Sequence, residues 1–148
     1  MLNKRFLSIA QLDAGVPVEY LVVAGGAGAR IGGGGAGGLL TNFGGTAESL
    51  NITDTYTINV GAGGAGAYSY IGGGNTSGGL SKIASGATDI TPAAVGGGLG
   101  GQNFSNPLPS VGGSGGGAGS HPGQGFTSGA AGTLNQGNAG GGAPPRTS

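Results

Sequence analysis

The chain has 148 residues, which is enough for one ordinary domain, and 41 of them are glycine. Five Lys and Arg residues balance five Asp and Glu residues, so the sequence has no basic field for nucleic acid or for an anionic membrane surface. Cysteine is absent, which excludes a disulfide framework, and no apolar run is long enough to insert into a membrane.

The first 15 residues contain a single glycine and differ in composition from the rest of the chain. Four apolar residues recur in them at spacings of four, three and three: Leu2, Phe6, Ile9 and Leu12. This spacing predicts a short amphipathic helix over residues 2–12, the one place where an α-helix is expected. The chain is therefore divided into an N-terminal docking segment, 1–15, and a glycine-rich domain, 16–148.

Two β-strands are predicted in the first half of the glycine-rich domain. Val16–Ala24 is β-branched and aromatic and lies between glycines, and Pro17 places the start of this strand at a sheet edge. Asn51–Val60 alternates apolar and polar residues, which predicts a half-buried strand. The apolar face of this second strand consists of Ile52, Tyr56, Ile58 and Val60.

A hairpin is predicted farther along the chain. The turn residues Gly74–Gly78 separate two short apolar stretches, Tyr68–Ile71 and Leu80–Ala84. From Val95 onward the sequence is nearly all Gly, Ala, Ser, Asn and Pro, and nothing in it is typical of a helix.

The glycines need a structural explanation, because ordering each one costs about 0.5–1 kcal/mol relative to alanine. Collagen is excluded, since glycine does not recur at every third position and the chain has only 7 prolines. Disorder, a conventional sheet with glycines at turns, and a bundle of polyglycine II-like helices stay open. The low net charge disfavours disorder. We predict the bundle, and therefore a mostly β and irregular fold that combines short strands with packed, polyglycine II-like helices. The longest uninterrupted glycine runs in the sequence are Gly32–Gly35, Gly72–Gly74, Gly96–Gly98, Gly115–Gly117 and Gly140–Gly142.

Motifs that would support catalysis fail on spacing or on missing partners. VVAGGAGARIGG resembles a dinucleotide-binding turn, but Ile31 stands where the third glycine should be, and more glycines follow instead of a helix. His121 is the single histidine and has no cysteine or second histidine with which to hold a metal. The five carboxylates are dispersed along the chain. No enzyme and no cofactor is expected.

A few aromatic residues punctuate the glycine-rich region and have two possible roles. They either fill a small core and cap the ends of the glycine helices, or lie on loops that contact a sugar or a protein surface. The candidate receptor-contact residues, to which loop residue His121 is added, are Tyr68, Tyr70, Phe104, His121 and Phe126.

Two segments in order resemble a known family. VEYLVVAGGAGARIGGGGAGG (Val18–Gly38) looks like the opening of the glycine-rich domain of bacteriophage tail-fibre and adhesin proteins. YTINVGAGG (Tyr56–Gly64) resembles the strand that follows there. The likeness covers roughly residues 16–142. It departs from the family in the short lead before the domain, which would put any large virion-attachment domain on another chain, and in the scarcity of loop aromatics.

The resemblance implies a non-enzymatic structural protein on the surface of a phage virion. A sandwich of polyglycine helices would form a rigid scaffold, its distal loops would contact a host cell-surface protein or glycan, and residues 1–15 would dock on other virion proteins through Leu2, Phe6, Ile9 and Leu12. The alternative is a capsid decoration or head-fibre protein with no receptor role. A homo-oligomer is expected because small cores often need association, and a trimer is expected by analogy with fibres.

Overall fold

The computed structural model of the protein describes residues 15–67, 74–101, 108–119 and 127–145. These ranges contain no helix, and their strands are two to four residues long. The strands pair antiparallel in three small sheets, β1–β4, β2–β3 and β5–β6–β7. In chain order they are β1 (Val16–Val18), β2 (Leu21–Val23), β3 (Leu39–Thr41), β4 (Glu48–Leu50), β5 (Tyr56–Asn59), β6 (Lys82–Ser85) and β7 (Thr88–Asp89).

The strand predicted over Val16–Ala24 is two strands, because the side chain of Asn42 separates them. Asn42 Oδ1 accepts a hydrogen bond from the Tyr20 amide at 2.6 Å, and Asn42 Nδ2 donates to the Val18 carbonyl at 3.3 Å. The amide group thus takes the place of a neighbouring peptide between β1 and β2, which pair with different strands. Pro17 lies in β1, which pairs only with β4 among the described strands, so its predicted edge position is confirmed there.

The strand predicted over Asn51–Val60 begins only at Tyr56. Asn51 starts a turn instead: its Oδ1 accepts from the Thr53 amide at 3.0 Å, and its carbonyl accepts from the Asp54 amide at 3.1 Å. The prediction of a half-buried face was also wrong, because Ile58 is 70% exposed and Val60 is 77% exposed.

Glycine-rich runs make up most of the remaining described chain and bond to one another through the backbone. They are numbered in chain order, and the odd-numbered runs are parallel to one another while the even-numbered runs are antiparallel to them. The described runs 1 to 9 cover residues 24–29, 32–38, 61–67, 75–79, 95–101, 108–113, 114–119, 127–133 and 137–143.

Hydrogen bonds within the bundle repeat every third residue. In run 1 the amides of Ala24 and Ala27 donate to run 2 over 3.0 and 2.9 Å. The residues that follow them, Gly25 and Gly28, donate to run 4 over 3.0 Å each. The third residue of each triplet accepts from run 3 through its carbonyl. A β-strand bonds in two directions, whereas this threefold pattern is that of a helix with three residues per turn.

The backbone conformation agrees with that pattern. Among the described glycines, φ is positive at Gly44, Gly74 and Gly86, which lie in turns or at the start of a described range. The glycines inside the runs keep the negative φ of polyproline II-type helices. The predicted fold class of short strands with packed polyglycine II-like helices is confirmed, and the helix predicted over residues 2–12 lies outside the described residues.

Run 4 corrects the predicted hairpin. Gly74–Gly78 was expected to be its turn, but Gly78 and Gly79 donate to runs 5 and 3 over 3.2 and 2.8 Å. Residues 75–79 therefore form one helix of the bundle. The stretch Leu80–Ala84 overlaps β6, which begins at Lys82, and Tyr68–Ile71 lies outside the described residues.

Close backbone contact explains why the runs need glycine. A Cβ on Gly97 in run 5 would overlap the carbonyl oxygen of Gly35 in run 2 and would lie 2.8 Å from the Ala27 amide nitrogen in run 1. A Cβ on Gly25 or Gly28 would overlap the backbone of run 3. The side-chain core is correspondingly small: Val22, Ala24 and Ala94 are buried, and Tyr20, Leu40 and Ile83 pack against them. Backbone contacts occupy the space that side chains fill in most domains.

We predict that Gly97→Ala lowers the free energy of unfolding by about 3 kcal/mol, because the methyl group meets fixed backbone atoms on two sides. Gly33→Ala is the matched control: nothing lies within 4 Å of a Cβ at Gly33, so this change is expected to be neutral or to stabilise by up to about 1 kcal/mol. Urea denaturation of the two variants measures the difference. Equal stabilities would contradict close backbone packing in the bundle.

A second prediction concerns the break between β1 and β2. Asn42→Ala removes the bonds to Tyr20 and Val18 and is expected to cost about 2 kcal/mol in a thermal or urea melt. Asn138→Ala is the control, since Asn138 is exposed and its side chain makes no hydrogen bond to the described residues. An Asn42→Ala loss no larger than that of the control would show that the side chain does not position these strands.

Candidate functional site

The alternating run directions give the bundle two different ends. Every odd-numbered run ends at the same side, which we call the loop end, and every even-numbered run starts there. The strands connect to the opposite side, which we call the sheet end: β2 leads into run 1, β5 into run 3, and run 2 into β3.

Hydrogen bonds join the described residues that border the loop-end connections. The Ala67 amide, at the end of run 3, donates to the Ala29 carbonyl at 3.1 Å. The Ile31 amide donates to the carbonyl of Gly101, the last residue of run 5, at 3.3 Å. The Gly101 amide in turn donates to Gly117 in run 7 at 2.9 Å. The connections after runs 1, 3, 5 and 7 therefore start close together.

The predicted receptor-contact residues fall in three of these connections. Tyr68, Tyr70, Phe104, His121 and Phe126 belong to segments 68–73, 102–107 and 120–126, which lie outside the described residues. The described residues on either side of each segment are at the loop end. The predicted docking residues Leu2, Phe6, Ile9 and Leu12 also lie outside the described residues. Their roles stay predictions.

The sequence analysis missed the described surface of the loop end. Ile31, at the turn between runs 1 and 2, is 38% exposed, and Arg30 precedes it. Asn75 is buried and donates through Nδ2 to the Gly100 carbonyl at 3.3 Å, which ties the start of run 4 to the end of run 5. The lengths of the glycine runs could have predicted these residues. When consecutive runs are similar in length and opposite in direction, every second connection lies at the same end of the bundle.

Charge is divided between the two ends of the described structure. Its carboxylates all lie in or beside the strands: Glu19, Glu48, Asp54 and Asp89. Lys82 in β6 bonds Asp89 in β7 at 2.6 Å, and Arg30 is the described basic residue at the loop end. The loop end of the described structure thus has no carboxylate, and its larger described side chains include Arg30 and Ile31.

The glycine turn that resembles a dinucleotide site has its amides engaged within the protein. Gly25, Ala27 and Gly28 donate to runs 4, 2 and 4, so these N–H groups are not directed at a phosphate. The described residues contain no group of three His, Cys, Asp or Glu side chains that could hold a metal ion. The described part of the chain also has no helix long and apolar enough to cross a membrane.

The sheet end carries an apolar surface. Leu21, Val23 and Leu39 project from one face of the β2–β3 sheet and are 65%, 50% and 44% exposed. Ile58 and Val60 join Leu21 and Val23 around a cleft of about 260 Å³. We call Leu21, Val23, Ile58 and Val60 the apolar cleft. Exposed apolar side chains that form a contiguous patch often mark an interaction surface.

The architecture defines a class of protein: a bundle of polyglycine II-like helices held together through the backbone, with strands at one end and the ends of the odd-numbered runs at the other. The model of the family described as "Glycine-rich domain" matches residues 8–148, and the chain belongs to that family. Searches of curated proteins and of solved structures found no match.

The arrangement of the ends is open to a cross-linking test, because the chain has no native cysteine. Ile31→Cys with Leu108→Cys places two exposed thiols at the loop end and is expected to cross-link efficiently with a short bifunctional maleimide. Ile31→Cys with Val60→Cys is the control, since a run of six residues at about 3.1 Å each separates the ends by roughly 19 Å. Equal cross-linking of the two pairs would contradict the assignment of ends.

Proposed function

We propose that the protein is a non-enzymatic structural protein of a bacteriophage virion, a tail-fibre or adhesin-like component. Its glycine bundle is a rigid scaffold, and the connections at the loop end contact a receptor on the host cell. The observation that carries this proposal is that the described residues bordering segments 68–73, 102–107 and 120–126 all lie at one end of a backbone-bonded bundle.

A rigid scaffold suits a protein that must hold loops in place. The amides and carbonyls of run 5 bond runs 1, 2, 4, 6 and 7, so its position is fixed from several sides. Neighbouring backbones lie so close that side chains cannot enter between them. Loops that leave such a scaffold can vary in sequence without disturbing it, which is the usual arrangement of recognition loops.

The sequence of the loop-end segments supports a contact role. They contain two tyrosines, two phenylalanines and the single histidine, in a chain with 4 Tyr and 4 Phe. Aromatic side chains are favoured anchors in recognition of proteins and sugars because they bury much surface at little entropic cost. The receptor is accordingly proposed to be a cell-surface protein or glycan.

The remaining partners follow from the sheet end and from the N-terminal segment. Other virion proteins would bind there, with Leu2, Phe6, Ile9 and Leu12 as docking residues, and the protein would assemble as a homo-oligomer. No nucleic acid, membrane or cofactor takes part in this function. The place of action is the surface of the extracellular particle.

A second candidate is a capsid decoration or head-fibre protein that binds only other virion subunits. The apolar cleft at the sheet end favours it, because such a surface suits contact between subunits. In this case the loop-end segments would have no receptor to contact.

The receptor role predicts that purified protein adsorbs to host cells and competes with phage for infection. The variant Tyr70→Ala/Phe104→Ala/Phe126→Ala is expected to lose at least tenfold in adsorption, because it removes the aromatic anchors. Phe43→Ala is the control, an aromatic truncation at a residue that is 81% exposed and lies at the sheet end.

Cell adsorption is measured by flow cytometry with labelled protein, and the folding of each variant is checked by thermal melting. Wild-type protein that neither adsorbs nor competes would refute the receptor role. Deletion of residues 1–15 that blocks incorporation into particles, together with full infectivity of the triple variant, would favour the decoration protein. Immunogold labelling of particles then distinguishes tail from capsid.

A further inference from the structure

Within the described part of the chain, strand β5 has an open edge. On one side it pairs with β6 in the register Thr57↔Ala84, Ile58↔Ile83 and Asn59↔Lys82. On its other side the backbone from Tyr56 to Val60 makes no hydrogen bond to any described residue. An exposed edge of this kind is a template for another strand.

The bonds of β6 show which groups of β5 lie on the open edge. Ile83 turns its backbone away from β5, because its carbonyl accepts from the Ile90 amide at 2.9 Å and its amide donates to Thr91 Oγ1 at 3.1 Å. In an antiparallel pair bonded and non-bonded positions alternate, so Ala84 and Lys82 bond Thr57 and Asn59. The peptide groups of Tyr56, Ile58 and Val60 therefore point outward.

The side chains beside this edge are apolar and exposed. Ile58 is 70% exposed and Val60 is 77% exposed, and both line the apolar cleft with Leu21 and Val23. From Tyr56 to Val60 the strand has no charged residue and no proline. Natural edge strands avoid pairing by being very short or by carrying lysine, proline or a bulge. Strand β5 is short, at four residues, but it has no lysine, no proline and an unbroken one-to-one register with β6.

We propose that two copies of this chain associate through their β5 edges across a twofold axis. With Ile58 opposite the partner's Ile58, each Tyr56 lies opposite the partner's Val60. Every outward N–H of one strand then meets an outward C=O of the other, and the two β5–β6–β7 sheets become one continuous sheet. The inference rests on the edge and the apolar cleft, and it does not depend on a role in the virion.

A second copy suits this edge better than an unrelated strand. The antiparallel register about Ile58 is self-complementary, as a twofold interface requires. The net charge of the chain is zero, so identical copies meet without overall repulsion. The same symmetry places Ile58 and Val60 of both copies on one face, next to the apolar cleft of each.

The size of the contact sets the expected strength. Full burial of one Val, Leu or Ile side chain removes roughly 60–120 Å² of apolar surface, so the partly exposed apolar clefts of two copies supply on the order of 500 Å². Stable interfaces bury about 1,200–2,000 Å² in total. The dimer is therefore expected to be weak, with association at micromolar and higher protein concentrations.

Sedimentation velocity of the full chain, from micromolar to several hundred micromolar, tests the association. We expect a monomer–dimer equilibrium, with Ile58→Lys monomeric throughout because identical charges would lie directly opposite each other. Thr57→Lys is the matched control: Thr57 points to the other face and lies opposite the partner's Asn59, so dimers are expected to persist.

Two further measurements identify the register. Ile58→Glu is expected to be monomeric alone, and an equimolar mixture with Ile58→Lys is expected to restore the dimer. In the wild-type chain, hydrogen exchange at the amides of Tyr56, Ile58 and Val60 should slow at least tenfold on raising the concentration, whereas Thr57 and Asn59 should be protected throughout. A wild-type chain that stays monomeric, a trimer, or a dimer unaffected by Ile58→Lys would overturn the proposal.

Discussion

Most of this structure depends on peptide groups that bond in three directions. A side chain on the wrong residue would separate two neighbouring runs, since a Cβ at Gly35, Gly78 or Gly97 would overlap a facing carbonyl. The requirement for glycine therefore follows from lateral hydrogen bonding rather than from turns. It also explains the small core: when backbones touch, few side chains remain to be buried, and four of the five buried hydrophobic residues of the described structure are alanine.

The glycines serve two different physical purposes, which composition alone does not separate. Gly44 and Gly86 occupy left-handed turn conformations at φ 73° and 57°, where open space would accept a side chain but the backbone would be strained. Gly25 and Gly28 have ordinary negative φ and no room for a Cβ. A third set, which includes Gly33 and Gly141, has neither constraint in the described structure and is replaceable.

Local pattern was sufficient to predict the class of fold but not the limits of the strands. The threefold bundle followed from the long runs and the low charge, whereas the break at Glu19–Tyr20 depends on Asn42, more than twenty residues away. The turn at Asn51 was present in the sequence as an Asx pattern and was masked by the alternation of Ile52 with later residues. The sequence pattern identified the apolar face of β5. The exposure of that face depends on which other segments pack against it, and alternation of apolar and polar residues carries no information about that packing.

The two ends of the protein follow from connectivity. Runs of five to seven residues reverse direction at each connection, so the described residues that border the segments after runs 3, 5 and 7 all lie at the loop end, away from the strands. An inner run of the bundle has its peptide groups bonded by its neighbours, as run 5 is by runs 1, 2, 4, 6 and 7. At the sheet end the bonding pattern changes from threefold to twofold, and a twofold ladder must stop somewhere. In the three-stranded sheet it stops at β7 on one side and at β5 on the other, where the outward peptide groups of Ile58 and Val60 lie beside exposed apolar side chains. The change of bonding symmetry thus makes the sheet end the place where this protein can extend to a partner.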